Sequence, residues 1–144
     1  MDKCKIGIAG LGRLGKVHAK NIAFRIRGAE LTAACSIVPE ELDFAKSELG
    51  VTDVYSDYRT MLKEADIDAV CVVTTSTEHC WQIEAALDSG KHVFSEKPLG
   101  VSVEQCKQAE AAVERHPDLT FMLGFMRRYD KSYSYAKKDR KSVV

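Results

Sequence analysis

The stretch GLGRLG at residues 10–15 constrains this chain more than any other. It follows a short apolar run, KIGIAG at 5–10, and precedes Leu14, Val17, Ala19, Ile22 and Ile26, which share one face of a helix running from Leu14 to about Ile26. In a G-x-G-x-x-G set between a strand and a helix, each glycine has a physical reason. Gly10 permits the tight turn, Gly12 lets the backbone approach a pyrophosphate with no Cβ in the way, and Gly15 lets the helix lie close on the strand. The helix starting there would offer unpaired N–H groups and its positive dipole end to phosphates. The alternative is a glycine turn that only packs; placement in the first strand of an alternating series favours a dinucleotide site.

The series continues along the chain. Strands are expected at 30–38 (ELTAACSIV), 53–55, 68–75 (DAVCVVTT), 91–96 (KHVFSE) and 119–124 (LTFMLG). Helices are expected from Pro39 to the stop at Gly50, from Tyr58 to Glu64, from Glu78 to Ser89 with Gly90 as the stop, and over 102–115 with Ser102 as N-cap. The run at 68–75 is almost uninterruptedly apolar, as expected of a central parallel strand covered on both faces. Strands alternating with helices imply right-handed βαβ units, hence an α/β fold of Rossmann type: a doubly wound, mostly parallel sheet with helices on both faces.

Composition excludes several classes. Lys plus Arg and Asp plus Glu both total 21 in the 144 residues, and the basic clusters are confined to Arg127 with Arg128 and to KKDRK at 137–141. That is a poor footprint for nucleic acid. No run of about 18 apolar residues appears, so no membrane span is expected. The N-terminus lacks the long apolar segment of a signal peptide, which reads as cytoplasmic. The five cysteines are scattered without a C-x-x-C pair, so neither a metal site nor a disulfide framework is expected.

Other strand ends carry the remaining candidates. Open α/β sheets bind ligands outside the carboxyl ends of their strands. An acid to grip the ribose is expected at the end of the second strand, but Ser36 stands there, followed by Ile37 and Val38, so NAD and NADP both remain open. Ser36 either contacts the cofactor or caps the helix near Pro39. Thr74 and Thr75 end the fourth strand, where hydroxyls serve a cofactor, cap the next helix, or do both. His79 reads as a packing or capping residue. After the fifth strand come Glu96, Lys97 and Pro98; the proline fixes the backbone, and Lys97 stands where its ammonium can donate to a substrate hydroxyl or exchange a proton with it. Glu96 either pairs with Lys97 or turns away, and a solvated lysine at a loop start is the plain alternative.

GLGRLG at 10–15, Thr74 with His79 in a T-x-x-x-x-H pattern, EKP at 96–98 and GFMRRYD at 124–130 together resemble the Gfo/Idh/MocA oxidoreductase family over about 130 residues. GFMRRYD looks most like its inositol 2-dehydrogenase branch. The resemblance implies hydride transfer between C4 of NAD or NADP, with NAD favoured, and a carbinol carbon of a polyol such as myo-inositol. It implies that Gly10, Leu11, Gly12, Arg13, Leu14, Ser36, Thr74, Thr75, Glu96 and Lys97 hold the cofactor. Lys97 would be catalytic, and Lys97 and Arg127 would touch the substrate. The family usually has an acid where Ser36 stands and often a proline where Thr75 stands. It also has a second α/β domain that completes the proton-transfer site and supplies most of a homo-oligomer interface. Residues 1–124 are therefore read as the dinucleotide-binding domain and 125–144 as the start of a connection to a second domain absent from this chain. On that reading the chain binds nucleotide but is inactive alone; a non-catalytic dinucleotide-binding or regulatory module is the alternative.

Overall fold

The computed structural model describes residues 2–141. In chain order the elements are β1 (Cys4–Ala9), α1 (Arg13–Phe24), β2 (Ala29–Cys35), α2 (Pro39–Leu49), β3 (Asp53–Tyr55), α3 (Tyr58–Glu64), β4 (Ala69–Val72), α4 (His79–Asp88), β5 (His92–Glu96), α5 (Val103–Arg115) and β6 (Phe121–Gly124). A 3-10 turn (Met126–Tyr129) and α6 (Lys131–Lys141) follow. The strands form one parallel sheet in the order β3-β2-β1-β4-β5-β6. The chain winds outward from β1 to β3, crosses back, and winds the other way from β4 to β6. The reversal lies between β1 and β4.

Reversing the winding sends right-handed crossovers to the opposite face, so two cores form. Side chains alternate along the strands, and a register shift where β2 passes Ile6 and Gly7 lets Leu31 and Ala34 share a face: Ile8, Leu31, Ala34, Cys71 and Val73 pack with Ala19 and Ile22 of α1 and Ala45 of α2. Ala9, Ala33, Val70, Val72 and Val93 pack on the other face with Met61 of α3, Ile83 and Leu87 of α4 and Ala112 of α5. Central β4 is buried on both faces, which explains its unbroken apolar run. Each large core side chain contributes about 1.5–3 kcal/mol by leaving water.

The helices differ in how they begin. The Asp57 carboxylate caps α3 by accepting from the Thr60 N–H (2.7 Å), and the Ser102 hydroxyl caps α5 by accepting from the Gln105 N–H (3.2 Å). Helix α1 has neither a side-chain cap nor an acid in its first turn. Its N–H groups and positive end are left for something else.

Two strands are shorter than their apolar runs. β2 ends at Cys35 and β4 at Val72, although Val73 stays buried. The Val73 N–H donates to the Ala9 carbonyl (2.8 Å), the last link between β4 and β1. Beyond it the chain of β1 turns away at Gly10, so β4 loses its neighbour on that side. Ser36, Thr74 and Thr75 thus stand on loops at the carboxyl edge. The tail beyond 141 lies outside the described residues.

Candidate functional site

The glycine turn is wedged among three strand ends. The Gly10 N–H donates to the Cys35 carbonyl (2.9 Å), and Gly10 takes φ +88, where a Cβ would stand 2.5 Å from the Val73 carbonyl oxygen. At Gly15 a Cβ would stand 2.0 Å from the Gly10 carbonyl oxygen, so α1 lies hard against the turn. At Gly12 the nearest atom to a Cβ would be Glu41 Oε1 at 4.0 Å, and the backbone is ordinary and extended (φ −63). The outer glycines are required by the fold, whereas the middle one borders open space beside the uncapped start of α1. This is the cradle a pyrophosphate needs.

That space is part of a cleft of about 660 Å³ at the switch point. Residues 10–14, Ser36, Thr74 and Thr75 all line it, as expected from the sequence. The hydroxyls do not cap helices. Thr74 Oγ1 donates to Gln82 Oε1 (2.5 Å), Thr75 lies near the Thr77 hydroxyl (3.4 Å), and α4 starts without a side-chain cap. Ser36 Oγ accepts from the Val38 N–H (3.1 Å) and donates to Glu41 Oε2 (2.6 Å). The same carboxylate oxygen accepts from the Leu11 N–H (3.2 Å). The sequence reading missed Glu41, although an acid in the first turn after Pro39 was in plain sight. It also missed Tyr58, whose ring meets that of the cleft-lining Trp81 edge to face at 5.5 Å.

Glu96, Lys97 and Arg127 do not line this cleft. Strand register still puts the end of β5 level with the glycine turn, since Ala9 pairs with Val72 and Val72 with Ser95. Two strand spacings separate them, about 10 Å. Glu96 turns away from the Lys97 ammonium: alternation points it to the α1 face, where its carboxylate meets His18 Nε2 at 2.9 Å. Lys97 is exposed, its backbone N–H donating to Glu96 Oε2 (3.2 Å), and the Lys97–Pro98 peptide is cis. Arg127, in the turn after β6, pairs with Asp130 (3.3 Å) and stacks over Tyr133. His79 is a packing residue, as expected, and only 1% exposed. Its Nε2 lies 3.1 Å from the Thr74 carbonyl and its Nδ1 lies 2.7 Å from that of Pro98, so one ring ties the β4 loop to the β5 loop.

Cys35 borders the cleft, and Cys71 lies beneath it in the sheet. Burial, aided by the charge of Asp57, pushes the Cys35 thiol up to about 11. Burial and Glu96 push Cys71 up to about 12. The unfolded chain releases these protons near 9.0, so their contribution to stability is intact below that pH and is lost between 9.0 and about 12. Brief alkylation of the native chain near neutral pH is expected to modify exposed Cys4, partly modify Cys106, and spare the three buried thiols of Cys35, Cys71 and Cys80. Peptide mass mapping reads the result, and labelling of Cys35 as fast as Cys4 would contradict it. Among the described residues no group of three or more His, Cys, Asp or Glu side chains is placed to hold a metal ion, and no helix is long and apolar enough to cross a membrane.

Comparison with known proteins agrees with this geometry. The chain is 33% identical over 134 residues to an inositol 2-dehydrogenase of Salmonella typhimurium, a match covering 92% of this chain and 40% of that protein. It is 36% identical over 134 residues to a scyllo-inositol 2-dehydrogenase (NAD(+)) of Bacillus subtilis, covering 93% and 39%. The crystal structure of scyllo-inositol dehydrogenase from Lactobacillus casei with bound NAD(H) and scyllo-inositol superposes with a TM-score of 0.94 at 54% identity, over 98% of this chain and 42% of that one. The chain thus spans about 40% of the length of the curated relatives it matches. Residues 4–125 match the family model described as an oxidoreductase family with an NAD-binding Rossmann fold, and the chain belongs to that family, Gfo/Idh/MocA.

Proposed function

We propose that these residues are the cofactor-holding part of a dehydrogenase that oxidises a secondary alcohol of a cyclitol, an inositol, with NAD preferred over NADP. The observation that carries the reading is the space left open at Gly12 between the tight contacts at Gly10 and Gly15. The residues present fit a dinucleotide: the amides at the start of α1 and Arg13 face its phosphates, and the hydroxyls of Ser36, Thr74 and Thr75 offer hydrogen bonds along the cleft. When bound, the nicotinamide supplies the hydride acceptor. Lys97, one strand beyond the cleft's β4 wall, takes the proton role at the substrate hydroxyl, and Glu96 anchors the end of its strand through His18. Arg127 is read as a substrate contact. The inositol substrate rests on the relatives' names and on GFMRRYD at 124–130. We read the full-length enzyme as a cytoplasmic homo-oligomer; its balanced charge argues against nucleic-acid partners.

Titration of the 144-residue chain with NADH, followed by the fluorescence of its single tryptophan, Trp81, tests the reading. Saturable quenching reversed by NAD+ is expected, because Trp81 lines the cleft. Inositol oxidation is expected to stay at background, since the chain spans about 40% of its relatives. Absence of quenching at millimolar NADH removes the reading.

A further inference from the structure

Position 36 lacks the acid that would grip a ribose diol, yet the cleft does not lack the charge. Pro39 occupies the first turn of α2, directly after the extended Val38, so the helix starts within four residues of the end of β2. Its first turn swings Glu41 back over that strand end. There Glu41 Oε2 accepts from the Ser36 hydroxyl at 2.6 Å and the Leu11 N–H at 3.2 Å, while Oε1 faces the open side of Gly12. One carboxylate bridges the end of β2 and the glycine turn. It stands where the Rossmann fold places the group that reads the ribose next to the pyrophosphate.

We propose that Glu41, delivered from α2, is the residue that selects NAD over NADP in this chain; the proposal rests on the dinucleotide reading of the cleft. A carboxylate has about four lone-pair sites, and two are used here, by Ser36 and Leu11. The others can accept from ribose hydroxyls. A 2′-phosphate at the same place would meet like charge with little compensation: Ile37 and Val38 are apolar, and Arg13 is the one basic residue among the described residues lining the cleft. Ser36 acts as a positioning residue, since its hydroxyl donates to the carboxylate and its oxygen holds the Val38 N–H.

The test is titration of the wild-type chain and Glu41→Gln with NAD+ and with NADP+, with thermal unfolding to confirm that the variant folds. The wild type is expected to bind NAD+ about 100-fold tighter than NADP+, because like charges set side by side are strongly disfavoured. In Glu41→Gln, NAD+ should weaken about tenfold while NADP+ holds or improves, so the preference collapses to within about tenfold. A carboxylate that merely braces the glycine turn would weaken both cofactors equally, and one that plugs the phosphate cradle would strengthen both equally when removed; either result overturns the proposal. So does a wild type that binds NADP+ as well as NAD+, which needs no variant and leaves the dinucleotide site standing. A wild type that binds neither cofactor removes the site and the proposal together.

Discussion

Gly15→Ala is expected to destabilise the chain by about 3 kcal/mol or more, at the upper end of overpacking costs. Gly12→Ala, three residues earlier, should change stability by less than about 1 kcal/mol. The contrast follows from what each new methyl meets. At Gly15 it would lie 2.0 Å from the Gly10 carbonyl oxygen, a backbone atom locked among three strand ends, so α1 must move off the sheet. At Gly12 its nearest neighbour is a flexible carboxylate 4.0 Å away, and φ −63 suits alanine. For dinucleotide binding the difference between the two variants disappears. The Gly12 methyl enters the space kept for the pyrophosphate, and an overpacking cost of about 1–3 kcal/mol there corresponds to about 5- to 150-fold weaker binding. Thermal unfolding and NADH titration of both variants check this together. A Gly12→Ala chain that keeps wild-type affinity would show that the cradle is not where the phosphates lie, however stable the fold.

The fold was open to reading because its physical signals are local. Apolar runs, helix stops at Gly50 and Gly90, and the Ser102 cap each act within a few residues, and all recur in the structure. Where strands end was not open in the same way. Val73 is as apolar as a strand residue and is buried like one, but it has left the ladder because Gly10 removes its neighbour, a fact about a segment some sixty residues away. The glycine turn was legible to the residue, since steric demand at a tight turn falls on the glycines themselves. Glu41 was not: linear spacing puts the acid at position 36, and only the direction in which α2 leaves Val38 brings a side chain from five residues later to the same spot. His18 and Glu96, 78 residues apart, show the same limit. Alternation along β5 predicts which face Glu96 points to, and nothing in the order of residues predicts which side chain it meets there.

His79→Ala is expected to cost about 3 kcal/mol, and at roughly 3–4 °C per kcal/mol for a chain of this size the midpoint should fall by about 10 °C. The ring is 1% exposed and stands between two carbonyl oxygens, of Thr74 at 3.1 Å and Pro98 at 2.7 Å. Removing it takes away the single N–H that a neutral imidazole donates to one of these carbonyls and opens a hole beside Ile83 and its neighbours on α4. The loss should not be uniform. The loop carrying Lys97 is tied to the sheet by this ring from one side and by the Glu96 and His18 pair from the other. Hydrogen exchange over residues 97–101 should therefore accelerate more than exchange in α1 or β2, whose contacts are untouched. His79→Gln, which keeps a donor but spans only one of the two carbonyls, should recover part of the midpoint and less of the loop protection. If His79→Ala loses under 1 kcal/mol, or if exchange rises evenly across the sheet, the ring is filler and the position of Lys97 depends on something else. The distinction matters for chemistry because an exposed lysine at a strand end is useful for proton transfer only if its loop is held. In this fold a buried histidine from the preceding helix, α4, is the group placed to hold it.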